Sequence, residues 1–252
     1  VKVVHQDNQH LGPARNNGMK IATGEYIHFL DADDFLVENA YEAVYEEAKL
    51  FDAENLIFRI HMLDNATGNL LPDSLYNLQQ IHKKYFGKVI NFTSHPKAFI
   101  SRNIAYTSCN SLYKRSFLSD NEIRFDDIHT FEDHTFYYMV LLKANKTVYS
   151  DNYVLTYRRN NPTSLVSGAL HYLECHLQSF EKIRKESVSL PDELQRMIVN
   201  AEIKSIFSWY RRSVITGECL EKNHKLMMSF VESLETLLLE NASSGEVWFL
   251  EY

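Results

Sequence analysis

Apolar and polar positions along the chain fall first into short β-type runs separated by helical stretches, and later into helical stretches alone. Residues 1–5, "VKVVH", read as a short buried strand. In "LGPARNNGMKIATGEY" (11–26), Pro13 suits a first helical turn, Ala14, Met19, Ile21 and Ala22 can share an inward face, and Gly24 stands at a C-cap position. "YIHFL" (26–30) is a second apolar run, so the opening reads as β-α-β. Residues 38–51 carry Ala40, Ala43, Val44, Ala48 and Phe51 against acids, an amphipathic helix, and 55–63, "NLIFRIHML", is another strand. "DNATGNLLPDS" (64–74) is turn-rich and predicts a hairpin or loop. Further on, a loop with Asp126, Asp127, Glu132 and Asp133 runs into an aromatic and aliphatic helix ending near 144. Residues 147–159 supply one or two strands, and 160–168, "NNPTSLVSG", a polar loop expected to be mobile.

After Gly168 the period changes. Residues 169–187, 192–216 and 219–240 repeat at helical spacing with little β signal, as in Leu170, Leu173, Leu177, Phe180 and Ile183. The expectation is an α/β domain over 1–168 and a helical C-terminal region over 169–252, closing on the turn and short apolar tail "SSGEVWFLEY".

Composition narrows the partners. With 252 residues, 45% of them hydrophobic, the chain can bury a substantial core. A formal charge of −7 argues against a general nucleic-acid or anionic-membrane surface. Cys109, Cys175 and Cys219 are an odd, widely spaced set that fits neither a disulfide framework nor a structural zinc motif, which makes a reducing cytosol the default. No apolar run reaches the roughly 18 residues of a spanning helix, and no signal peptide precedes the first strand.

One cluster stands out. "FLDADDFL" (29–36) sets Asp31, Asp33 and Asp34 at the carboxyl end of the second strand, the edge where α/β sheets bind ligands. A helix N-cap for the helix at 38 accounts for one of them, Asp33 or Asp34. Three such charges repel unless a cation or protons offset them, and a D-x-D pair suits a hard divalent cation such as Mg²⁺ or Mn²⁺.

At this point "NQHLGPARNNGMKIATGEYIHFLDADDFL" (8–36) resembles the central signature of the family 2 inverting nucleotide-sugar glycosyltransferases with an A-type, partly Rossmann-like fold. "FEDHTF" (131–136) is similar to the family's later Glu-Asp motif, and "YRRNNPTSLVSG" (157–168) more loosely to the segment that closes such domains. The resemblance implies that Asp31 faces the donor ribose or metal, that Asp33 binds a cation bridging the phosphates, and that Asp34 is a cap or supporting residue. It sets Arg15 and Asn8 on the donor side, Glu132 beside the substrate and Asp133 as general base. His134 is left between a third metal ligand and a packed ring, and Arg158 and Arg159 between a diphosphate clamp and solvated surface. Helix caps remain the bland reading of Glu132 and Asp133.

The implied reaction moves a sugar from a nucleoside-diphosphate sugar, a UDP-sugar first, to a glycan or glycolipid acceptor with inversion, in cell-surface polysaccharide or glycoconjugate synthesis. It is expected in the cytoplasm, extending to the inner face of the membrane, with Mn²⁺ or Mg²⁺ as cofactor and no nucleic-acid partner. The family pattern begins with a further β-α-β segment of ~30 residues that residues 1–252 do not supply, so an N-terminal truncation is expected. Two alternatives stay open: a catalytically incomplete nucleotide- or carbohydrate-binding module, and a phosphohydrolase or nucleotidyltransferase, against which stands the lack of a separate nucleophile or His-rich set around Asp31.

Overall fold

A computed structural model describes residues 1–72, 83–99, 107–159 and 165–242. In chain order its elements are α1 (Leu11–Ile21), β1 (Tyr26–Ile27), β2 (Phe35–Leu36), α2 (Ala40–Leu50), β3 (Asn55–Asp64), β4 (Val89–Ile90), α3 (Pro96–Phe99), β5 (Ser111–Lys114), α4 (Arg115–Asp120), α5 (Glu132–Lys143) and β6 (Thr147–Arg159). Three long helices follow, α6 (Leu173–Glu186), α7 (Asp192–Thr216) and α8 (Leu220–Ala242).

The sheet is mixed, in the order β1-β5-β3-β6-β2, with β4 also on β6. Its axis is the parallel pair β3 and β6, which pair from Asn55 opposite Thr147 to Asp64 opposite Arg159 with register shifts on either side of Arg59. β3 buries Leu56, Ile57, Phe58 and Ile60, and β6 buries Val148, Tyr149, Val154 and Leu155, the apolar runs of buried parallel strands. β5 runs antiparallel to β3 and β1 antiparallel to β5, which leaves β1 parallel to β3. β2 pairs antiparallel with the far end of β6 at Leu155 and Thr156. Residues 28–34 must therefore cross the carboxyl end of the sheet, from β1 at one edge to β2 beyond β6, and they carry the aspartates with them.

The sequence reading and the fold differ at four places. Residues 1–5 form no strand; the whole stretch 1–10 is exposed, because β propensity makes a strand only where a partner ladder accepts its hydrogen bonds. The strand expected over 26–30 stops at Ile27, since His28 leaves the ladder to donate from Nε2 to the Cys109 carbonyl (2.8 Å) and accept at Nδ1 from Tyr41 (2.7 Å). Neither Asp33 nor Asp34 caps α2, which starts at Ala40 behind a left-handed Asn39. Helix α1 ends on Ala22 rather than Gly24. Of the 160–168 loop, residues 160–164 lie outside the described residues, as does the tail 243–252; Leu165–Gly168 begin a 3-10 helix that runs to Tyr172.

Among the described residues the apolar side chains form two large cores and a small cluster of Phe131, Ala169 and Cys175. The larger contains Leu56, Phe58, Val148 and Leu155 from the sheet and an aromatic group, Phe29, Tyr113, Phe125 and Phe136, in which Phe125 and Phe136 stack at 4.0 Å. The helical region adds Ile183, Leu194 and Ile198 to this core and builds a second of its own around Leu173, Phe180, Ile206, Met227 and Phe230.

Helix α1 is docked tightly. Asn16 clamps the backbone of Phe125, donating to its carbonyl (2.8 Å) and accepting its amide (2.9 Å). One turn earlier Gly12 is buried so close to the Asp126 carbonyl that a Cβ would run into backbone. Gly12→Ala is expected to cost about 1–3 kcal/mol, as overpacking does, and to tilt the helix that carries Arg15. Urea unfolding reads the loss; an unchanged midpoint would mean that this contact yields without strain.

Candidate active site

Arg15 gathers the site. It projects from α1, is nearly buried, and lies over the Phe125 ring at 5.2 Å. Its Nη1 donates to Glu132 Oε1 and to Asp133 Oδ1, both at 2.7 Å, and its Nη2 to Asp31 Oδ1 at 2.9 Å. One guanidinium thus joins the first aspartate of D-x-D to both acids at the start of α5. The fork geometry of arginine makes this possible, where a lysine would offer a point charge. Burial pulls the Arg15 pKa down, and the negative charge of Asp133, Cys109, Asp31 and Glu132 more than reverses it, so the guanidinium stays charged.

The carboxylates are also held individually. Asp133 Oδ1 accepts the Ser108 hydroxyl (3.1 Å) and its Oδ2 the Ser108 amide (3.4 Å). Burial, with Asp31 and Asp133 nearby, keeps Cys109 a thiol, and its Sγ donates to Asp31 Oδ2 at 3.4 Å. Asp34 is buried and accepts the Arg158 amide at Oδ1 (3.0 Å), bolting the D-x-D turn to β6, while its Oδ2 finds no partner. Its pKa is pushed up to about 6, by burial and then by Asp31 and Asp33 against the opposing Arg158 contact.

Glu132 and Asp133 do occupy the first turn of α5, where the helix dipole favours acids, yet their side chains turn to Arg15. The residue before them, Phe131, has φ 67°, a left-handed conformation that is uncommon for a bulky side chain. The helical region compensates: Ser179 donates to the Phe131 carbonyl (3.2 Å), His176 stacks flat on its ring and Trp209 meets it edge-on.

Other expected residues are placed differently. Asn8 sits on the exposed segment ahead of α1, where its Oδ1 accepts the His10 amide. Arg158 lies 5.8 Å from the Phe35 ring, with its Nε buried and lacking a hydrogen-bond partner, and Arg159 lies over Tyr157. His134 turns away from the aspartates, 3.4 Å from Glu202 in the helical region. Ser108 and Cys109 join the site although the sequence reading assigned them no role. The small polar run "TSCN", whose Thr107 side chain accepts the Cys109 amide, was the local trace of their tight turn.

The aspartates fit a divalent cation in donor chemistry: Asp31 and Asp33 offer oxygen only, Asp31 is about one-third open to solvent, and Asp34, raised chiefly by burial, also feels the charges of Asp31 and Asp33. Glu132 reports the same crowding. Its pKa rises to about 7, by burial and then by Asp133, against the pull of Arg15. The folded chain therefore holds this proton more tightly than the unfolded chain, whose carboxyl titrates near 4.5, and stability falls as pH rises between those values. The fall amounts to roughly 2–3 kcal/mol. Glu132→Gln should flatten most of that slope in urea unfolding across the window, leaving the smaller contribution of Asp34. An unaltered slope in the variant would put the titrating group elsewhere.

The fold is a mixed α/β sheet with acids at its carboxyl end, followed by C-terminal helices. The model described as glycosyl transferase family 2 matches residues 1–120 of the chain. The chain is 27% identical over 165 residues to glycosyltransferase GlyG of Streptococcus pneumoniae, covering 64% of this chain and 53% of that protein. It is also 27% identical over 190 residues to the cholesterol galactosyltransferase of Borreliella burgdorferi, covering 73% and 52%. The chain thus spans about half the length of these relatives. Among solved structures, S. aureus TarS 1-349 in complex with UDP-GlcNAc shares the fold with a TM-score of 0.63 and 21% identity, over 81% of this chain and 55% of that one.

Proposed function

We propose that the protein transfers a sugar from a nucleoside-diphosphate sugar to an acceptor hydroxyl with inversion at the anomeric carbon. The observation that carries this reading is Arg15, which draws Asp31 of D-x-D and Asp133 of α5 into one cluster at the ligand-binding end of the sheet. UDP is the first nucleotide to expect, in keeping with the UDP-GlcNAc bound by TarS.

In this scheme Asp133 accepts the proton of the acceptor hydroxyl as it attacks. Its carboxylate is oriented by Ser108 and Arg15, so the proton-accepting oxygen does not have to be positioned during the reaction. Asp31 and Asp33 would hold a divalent cation, Mn²⁺ or Mg²⁺, which supplies positive charge opposite the leaving diphosphate. Arg158, whose Nε at the end of β6 has no hydrogen-bond partner, would add charge on the donor side. Asp34 supports the turn through the Arg158 amide, and Glu132 fixes Arg15. The acceptor is a glycan or glycolipid, in keeping with cell-surface polysaccharide synthesis on the cytoplasmic side. No helix among the described residues is long and apolar enough to cross a membrane.

A thermal-shift series with UDP, GDP and dTDP, each with and without Mn²⁺, tests the reading. A nucleotide at 100 times its Kd stabilises by about 2.7 kcal/mol. Asp33→Ala should retain the fold and lose the Mn²⁺-dependent part of that shift, because a partly exposed side chain is removed and no core opens. If no nucleoside diphosphate raises the melting temperature of the full-length protein, the reading fails; if the variant does not fold, Asp33 is structural.

A further inference from the structure

The seam between α5 and the helical region holds a second cluster, apart from the aspartates. His134 of α5, His176 of α6 and Glu202 of α7 converge there, and His176 and Glu202 are fully enclosed. Glu202 Oε2 stands 3.4 Å from His134 Nδ1 and 3.5 Å from His176 Nε2. Both separations exceed the usual ~2.9 Å of an N–H···O bond. They match the edge of a tetrahedron instead: with zinc–ligand bonds of about 2.0–2.1 Å, neighbouring ligand atoms lie about 3.3–3.4 Å apart.

One long hydrogen bond, between His134 Nδ1 and Glu202 Oε2, leaves much of the cluster unsatisfied. Neither ring nitrogen of His176 has a hydrogen-bond partner, and Glu202 Oε1 has none. A buried polar group left so costs about 1–3 kcal/mol, and a buried carboxylate more. The two imidazoles are inclined at 69°, so they approach Glu202 from different sides, and His176 is held in place by its stack on Phe131.

We propose that His134, His176 and Glu202 bind a zinc-class divalent cation that ties α6 and α7 to the start of α5. Two imidazole nitrogens and one carboxylate suit Zn²⁺ or Co²⁺, whereas the oxygen-only aspartates suit Mg²⁺ or Mn²⁺. A solvent oxygen completes the coordination. The ion fastens the element that keeps Phe131 left-handed, and so positions Glu132 and Asp133 without touching a substrate.

Cobalt distinguishes the two sites in the metal-free protein. Titration with Co²⁺ in excess Mg²⁺ is expected to give the intense visible absorption of four-coordinate cobalt, saturating at a single equivalent, with a raised melting temperature that Zn²⁺ reproduces. His176→Gln and Glu202→Gln should abolish the absorption, and Asp33→Ala should keep it. Absence of the bands in the unmodified chain, or their removal by Mg²⁺, would overturn the proposal, whether or not the variants fold. Bands that survive in Glu202→Gln and vanish in Asp33→Ala would do the same. Nothing in this readout depends on sugar transfer, so the zinc site and the proposed activity stand or fall separately.

Discussion

In the full-length protein, Asp133→Asn is expected to lower sugar transfer by about 10²–10⁴-fold, the usual loss when a general base is removed, while leaving nucleotide and cation binding in place. Asparagine keeps one oxygen to accept from Arg15 Nη1, which now lies 2.7 Å from Asp133 Oδ1. It replaces the other oxygen with an amide group beside the Ser108 amide, so Ser108 loses a weak 3.4 Å contact. That local change is small beside the loss of the proton acceptor. A nucleotide-dependent thermal shift, measured on the same preparation, separates chemistry from collapse. A rate within a few-fold of wild type would move the base to Glu132, 2.7 Å from the same guanidinium nitrogen. A parallel loss of cation affinity would make Asp133 a ligand.

Arg15→Ala is the substitution with the largest expected effect on stability, about 3–5 kcal/mol, the cost of leaving buried charges without their partner. Asp31, Glu132 and Asp133 would then face one another with no guanidinium between them. Transfer should fall with stability, since the same residue orients Asp133, the proposed base. The signature is in the pH dependence: the variant should recover toward wild type as the medium is acidified and the carboxylates take up protons. Arg15→Lys should rescue only part of the loss, because one ammonium cannot reach three carboxylates in the forked geometry. A deficit below about 1 kcal/mol, the level of an exposed ion pair, would reduce Arg15 to a surface charge despite its burial.

Much of this protein was determined by local sequence. The strand at 55–63 and the helices at 192–216 and 219–240 were legible because their periods are long and uninterrupted, and the structure has them as Asn55–Asp64, Asp192–Thr216 and Leu220–Ala242. The D-x-D turn and the Glu-Asp pair were legible because clustered acids at element ends are rarely neutral to stability. Tertiary structure decided the rest, and each case involves residues far apart in sequence. Arg15 could be read as an arginine near a helix start; that it bonds Asp31, Glu132 and Asp133 depends on α1 docking through Gly12 and Asn16 against the 125–126 backbone. Asp34 read as a cap or a supporting residue, and it is the second, bolted to the Arg158 amide because β2 pairs with the end of β6. The run at 1–5 has strand composition and no strand, because a ladder needs a second chain segment to accept its bonds. His134 lies beside the Glu132–Asp133 pair in sequence, yet α5 turns it toward His176 and Glu202, since successive helical residues point to different faces and only the packing of α6 and α7 says what lies opposite.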